Sequence, residues 1–349
     1  MPPWGGWAPP APQPGVIPLR PLRTGEVLGG AFTAFRRHWK PLTGAVLLVQ
    51  GIGILLVAAA IGLAAIGVRN EFAAVFDLPA GETPAAGDVA ALLLWLAPVV
   101  VLFTVTMVLL TAMIGALCPA VIQEAVLGRP VTFSALWRRC WSRLPAVLGV
   151  VLCVGLLTGG PLLLLYAACV LPALTAVAHD AAPPVGVFLL PVGMLLWMPF
   201  AVWLTVRFSL APAVAVCEGL GPVAAMRRSS RLVEGAWWRT CGIGALAYLL
   251  AAVVGSVVQL PFTFIGLFAL IPAVTATGDA AQPSTLVFGL MGYMACVLLG
   301  SVIGSVLQLG YSQLVLALLY VDQRMRKENL AQALIASAAD SAAPAPPGA

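Results

Sequence analysis

Charge is what this sequence has least of. Only 9% of its 349 residues are Asp, Glu, Lys or Arg, against about a quarter in soluble proteins. No mixed-composition stretch of roughly 100 residues is left in which a soluble catalytic domain could fold. Lysine is limited to Lys40 and Lys327, and histidine to His38 and His179. No Cys-x-x-Cys pair occurs among Cys118, Cys140, Cys153, Cys169, Cys217, Cys241 and Cys296. These scarcities take away the ligand spacing of a zinc site, argue against a disulfide framework and leave the cysteines as small apolar packing residues. There is no His-Glu-x-x-His, no glycine-rich phosphate loop after a strand pattern and no base paired with an intramembrane nucleophile. The sequence therefore points to no catalytic residues, no metal and no cofactor.

What fills the chain instead is hydrocarbon. Hydrophobic residues make up 61% and the mean hydropathy is +1.02, the composition of an integral membrane protein. Apolar stretches run approximately over 43–68, 89–117, 144–178, 185–216, 239–274 and 285–321. Each exceeds the approximately 20 residues that cross a bilayer core of about 30 Å. The last four are long for one crossing, since about 34 residues extend roughly 50 Å as a straight helix. Pro161 and Pro261 are the expected kink points. Splitting there would leave halves too short to span, so six spans are predicted.

The ends read differently. Residues 1–20 are rich in Pro, Gly and Ala with Trp4 and Trp7, and 336–349 are Ala, Ser and Pro. Both are expected to be disordered tails, flanking a membrane domain over 21–335. The opening residues have neither a charged n-region nor an apolar h-region, so no cleavable signal is expected. The preference for Arg over Lys, with abundant Ala, Gly and Pro, suggests a GC-rich bacterial source.

Charge, though scarce, is strongly ordered along the chain. A short basic amphipathic segment with a double arginine precedes an apolar stretch three times: Arg36-Arg37 after Pro21, Arg138-Arg139 after Pro130, and Arg227-Arg228 after Pro222. The resulting units cover about 21–128, 129–220 and 221–328. Two spans per unit return the chain to its starting side, so the units are parallel, unlike the inverted repeats of many transporters. The second spans of the first two units also end alike, in Pro119-Ala120-Val121 with Glu124 and in Pro212-Ala213-Val214 with Glu218. The third keeps only an acid, Asp322. Connections after the odd spans carry Glu71, Asp77, Glu82, Asp88, Asp180 and Asp279 against Arg69 alone. The positive-inside rule thus predicts cytoplasmic termini and a multi-pass plasma-membrane protein.

The basic segments have helical apolar stripes. Leu28, Phe32, Phe35 and Trp39 share one face in the first, with Thr24 expected to cap it. Phe133, Leu136, Trp137, Cys140 and Trp141 do so in the second. Aromatic residues opposite arginines suit a helix lying in the headgroup plane, and Arg36, Arg37, Arg138, Arg139, Arg227 and Arg228 are the candidate lipid-headgroup contacts. Topology anchoring by positive charge accounts for the same arginines, and the excess information lies in the stripes. Arg207 is the one charge well inside an apolar stretch and the candidate intramembrane polar site. It could snorkel to the interface, contact a substrate or lipid phosphate, or pair with Glu218 or Glu124. Gly292, Cys296, Gly300 and Gly304 form a small-residue stripe for packing inside the bundle or between copies. Thr104, Thr106, Ser301 and Ser305 are expected to bond back to helix carbonyls.

Pro21-Leu22-Arg23-Thr24-Gly25-Glu26-Val27-Leu28-Gly29-Gly30-Ala31-Phe32, Arg207-Phe208-Ser209-Leu210-Ala211-Pro212, Ala225-Met226-Arg227-Arg228-Ser229 and Leu319-Tyr320-Val321-Asp322-Gln323-Arg324-Met325-Arg326-Lys327-Glu328 carry a resemblance. Across roughly 18–335 the chain resembles the bacterial glycerophosphoryl diester phosphodiesterase membrane domain family. The family name comes from members fused to a soluble phosphodiesterase, which this sequence lacks, so the resemblance carries over no catalytic residue.

Together these features predict an all-α polytopic membrane helix bundle: six transmembrane helices in three parallel two-span units with cytoplasmic interfacial helices. The expected function is that of a non-enzymatic scaffold or accessory membrane protein. Its expected partners are membrane lipids, anionic ones included, and other membrane proteins, with no nucleic acid. A transporter of a small solute or lipid through a pseudo-threefold bundle is the alternative.

Overall fold

The computed structural model describes residues 22–67, 86–126, 133–178, 186–275 and 283–328, and every regular element in them is helical. The two tails and the connections carrying Glu71, Asp77, Glu82, Asp180 and Asp279 lie outside the described residues. Nine helices follow in order among the described residues: α1 (Thr24–Arg37), α2 (Trp39–Gly67), α3 (Ala86–Val126), α4 (Phe133–Ala178), α5 (Gly186–Phe208), α6 (Ala211–Cys217), α7 (Pro222–Val233), α8 (Trp237–Thr275) and α9 (Pro283–Glu328). Six segments are long and apolar enough to cross a membrane: Leu42–Leu63, Ala97–Gln123, Trp137–Val170, Phe188–Cys217, Trp237–Pro272 and Gly292–Glu328. The chain is a six-span all-α membrane protein.

Much of the apolar surface points outward. Leu164, Leu195 and Leu196 are each at least 70% exposed, which would be untenable in water but suits side chains bathed in lipid tails. The tight core sits at the charged end of the bundle, where the ends of α3 and α9 and all of α6 pack on one another. Ala120, Val121, Val214, Ala215, Leu318 and Leu319 are fully buried there.

The three basic segments take different forms. The first and third are separate helices, α1 and α7. The second is the start of α4, a 46-residue helix that runs unbroken into its span. In the first segment Pro41 falls in the opening turn of α2, where a missing amide leaves no bond unmade, and the chain bends at His38 (φ −118°, ψ 24°). Helix α7 lies between Gly219 and Gly235, both at positive φ (71° and 76°), which a side chain would disfavour. Pro161 and Pro261 lie inside α4 and α8, which continue through them; the fourth span is broken at Ser209 and Leu210, just before Pro212. Thr24 does not cap α1. Arg23 holds the N-cap position, and its amide donates to Glu26 Oε2 at 2.8 Å, the acidic half of a capping box.

The glycine stripe of α9 faces α8. A Cβ on Gly300 would come within 2.9 Å of Phe262 Cβ, and one on Gly304 within 3.4 Å of the Gly255 carbonyl oxygen. Close backbone approach of α8 and α9 therefore depends on these positions.

Candidate functional site

The charged end is built around two carboxylates. Asp322, near the end of α9, has a fully buried side chain. The Leu22 amide donates to its Oδ1 at 2.8 Å, Arg326 Nε lies 3.0 Å from both oxygens, and Arg239 at the start of α8 donates to Oδ2. The second nitrogens of both arginines donate to the Leu22 carbonyl, each at 2.8 Å. A buried carboxylate with a full set of donors is stable where an unpaired one would not be. The arrangement ties the residues just before α1 to α8 and α9.

Glu218, between α6 and α7, forms the second centre. It accepts from Arg228 Nε at 3.1 Å and from the Tyr320 hydroxyl at 2.9 Å. Arg228 also pairs with Glu328, which Arg324 Nε holds at 2.9 Å. Lys327 Nζ donates to the Arg231 carbonyl at 2.9 Å and to that of Glu234, placing a cation at the C-terminal end of α7, where the helix dipole favours it. Arg143 Nη1 reaches the Gly219 carbonyl at 3.3 Å.

These centres divide the arginines into two sets. Arg228, Arg239, Arg324 and Arg326 are held by acids. Arg36, Arg37, Arg138 and Arg227 are exposed and form no ion pair among the described residues. Arg139 is exposed as well but donates to Gln123 Oε1 of α3. Of the six candidate headgroup contacts, four therefore remain open to solvent or lipid, Arg139 is engaged by a neutral side chain, and Arg228 is structural.

The aromatic residues beside the open arginines are divided: Phe35 and Trp137 pack against the core, whereas others face outward. Helix α1 packs on the core through Val27, Gly30, Ala31 and Ala34, with Leu28 and Phe35 of its stripe half-buried against the same core. Phe32, Trp39 and, on α4, Trp141 are 51–59% exposed. Arg36 lines a groove with Phe32, Phe35 and Trp39 that continues along α2 and α9 to Leu47 and Ile303. At the α1–α2 junction His38 is buried, and its Nδ1 lies 3.2 Å from the Ala34 carbonyl. Burial lowers the imidazole pKa from its ordinary value; the Ala34 bond opposes this, and the neighbouring Arg37 charge adds to it.

Arg207 ends α5 with its guanidinium 4.9 Å from the ring centre of Trp203, a cation–π contact. Its carbonyl accepts from Ser229 Oγ at 3.0 Å. It borders a small pocket of about 140 Å³ with Ser230, Glu234 and Trp237, and among the described residues it makes no ion pair. Glu218 is committed to Arg228 and Tyr320. The side chain of Glu124, the other proposed partner, lies outside the described residues.

The sequence reading missed Arg239 and Asp322 as a pair. Asp322 stood out only as the third unit's remaining acid, and nothing local links it to Leu22 or to α8. Comparison with family models, with curated proteins and with solved structures found no match.

Proposed function

We propose that this protein is a non-catalytic, multi-pass plasma-membrane protein whose basic end faces the cytoplasm and gathers anionic lipids, serving as a scaffold for other membrane components. The division of the arginines carries this reading. Structural arginines are neutralised by Glu218, Asp322 and Glu328, whereas Arg36, Arg37, Arg138 and Arg227 keep their charge exposed, Arg36 beside the outward-facing Phe32 and Trp39 and Arg138 one turn from the outward-facing Trp141. Near an anionic surface each such arginine is worth about 1 kcal/mol, and rings at headgroup level add apolar burial. The packing of α3, α6 and α9 ends against one another supports the parallel three-unit reading, since these are the equivalent second spans.

The test is native mass spectrometry of the purified protein in mild detergent with equal phosphatidylglycerol and phosphatidylcholine. The wild type is expected to retain several phosphatidylglycerol molecules in preference. A chain with Arg36, Arg37, Arg138 and Arg227 all changed to Gln should lose that preference. Equal retention of both lipids by the wild type would remove the proposal. Orientation is tested by impermeant thiol reagents on intact cells, using a cysteine-free background: a cysteine placed at Asp77 should label and one at Ser142 should not.

A further inference from the structure

Inside the spans, well away from the charged end, a cavity of about 640 Å³ lies against α9, with α8 on one side and α2 and α3 on the other. Its volume is in the range of small-molecule sites. Three glutamines from three different spans converge on it: Gln50, Gln259 and Gln308.

These amides are not satisfied by the protein. Gln50 is only 6% exposed, and its one side-chain hydrogen bond is with the Ser305 hydroxyl at 2.7 Å. That hydroxyl is also 2.8 Å from the Val302 carbonyl. One end of the Gln50 amide, whichever way it is turned, is therefore left for the cavity. Gln259 and Gln308 make no side-chain hydrogen bond to the protein among the described residues. A polar group without a partner in a hydrocarbon setting costs several kcal/mol, so two unpartnered amides and the free end of a third mark a place where something else supplies the partners.

The surroundings define the occupant. No charged side chain lines the cavity, and Arg239 is thirteen residues from the nearest lining residue of its helix, Ala252, roughly 20 Å along the axis. A phosphate would find no guanidinium here. The rim is apolar and faces outward: Ile61, Phe103 and Met294 are each about half exposed, so entry is from the bilayer. We infer that this cavity binds a neutral lipid whose head carries hydroxyl or carbonyl oxygens, held by the three glutamine amides with its chains leaving past the rim into the membrane. Such a head can reach this depth without the cost of burying an ion.

Photolabelling of the full-length protein in phosphatidylcholine vesicles tests this directly. The probes are diazirine analogues of a diacylglycerol, a long-chain alcohol, a phosphatidylglycerol and a plain alkane. The diacylglycerol or the alcohol should label peptides of α2, α8 or α9 at the cavity, and the unlabelled compound should compete. The alkane and phosphatidylglycerol should not label there selectively. Gln50→Leu with Gln308→Leu should reduce labelling about tenfold, as expected for two lost hydrogen bonds. Because Ser305 keeps its bond to the Val302 carbonyl when Gln50 is replaced and Gln308 has no side-chain partner among the described residues to lose, the double variant should unfold close to the wild-type temperature, which separates lost binding from lost fold. Labelling that the double variant leaves unchanged, equal labelling by the alkane, preference for phosphatidylglycerol, or no cavity labelling by either neutral probe would each overturn the proposal.

Discussion

The main-chain amide of Leu22 donates to the carboxylate of Asp322 at 2.8 Å, joining points 300 residues apart in the chain. Both Arg239 and Arg326 bind the same carboxylate and return a second hydrogen bond to the Leu22 carbonyl. This acid ties the residues before α1 to α8 and α9 at the charged end, beside the second centre at Glu218.

Asp322→Ala should therefore destabilise the protein substantially. It leaves the buried Leu22 amide without an acceptor and two guanidinium groups without their acid, a loss of about 3 kcal/mol. Thermal unfolding in detergent should shift down clearly, and limited proteolysis should cut faster around Arg23. An unchanged midpoint would mean that the cluster is incidental.

The six spans were legible in the sequence because an apolar run of 20 or more residues has few other uses. The basic repeat was legible for the same reason, since charge stands out against so apolar a background. The pairing of that charge was not. Arg227 and Arg228 are neighbours of identical type, yet one is exposed and the other bridges Glu218 and Glu328; only the helical rotation of α7 separates them. Periodicity in the first basic segment could not tell that its stripe would divide, with Leu28 and Phe35 half-buried against the core and Phe32 and Trp39, the latter beyond the bend at His38, exposed. The face that packs is the one with Gly30, Ala31 and Ala34, whose small side chains allow close approach. Gln50, Gln259 and Gln308 lie in three different spans, and nothing local in the sequence shows that they meet through tertiary packing.

The glycines of α8 and α9 should respond to substitution according to the room around them. Gly300→Val should cost about 1–3 kcal/mol, since even a Cβ would meet Phe262 at 2.9 Å. Gly155→Ala in α4, where a Cβ meets nothing within 4 Å, should be neutral or slightly stabilising. Denaturation in the same detergent gives both values, and a reversed order would contradict the packing described.

Acid should loosen the α1–α2 junction through His38. Its folded pKa is lowered by burial, so the neutral form is favoured by folding. The associated stability is complete above the unfolded value of about 6.5 and is lost as pH falls through the folded value. Unfolding midpoints measured from pH 8 to pH 5 should decline more steeply for the wild type than for His38→Asn. Parallel curves would exclude His38 as the titrating group.

The most direct test of the account is the lipid selectivity of its basic end in a bilayer. Spin-labelled phosphatidylglycerol and phosphatidylcholine, each introduced into vesicles containing the protein, report by electron paramagnetic resonance the fraction of lipid held at its surface. The exposed arginines predict more immobilised phosphatidylglycerol than phosphatidylcholine, with the excess falling as salt screens the charges and vanishing when Arg36, Arg37, Arg138 and Arg227 are all changed to Gln. Equal immobilisation of the two lipids at low salt, or an excess that survives removal of the four arginines, would contradict it.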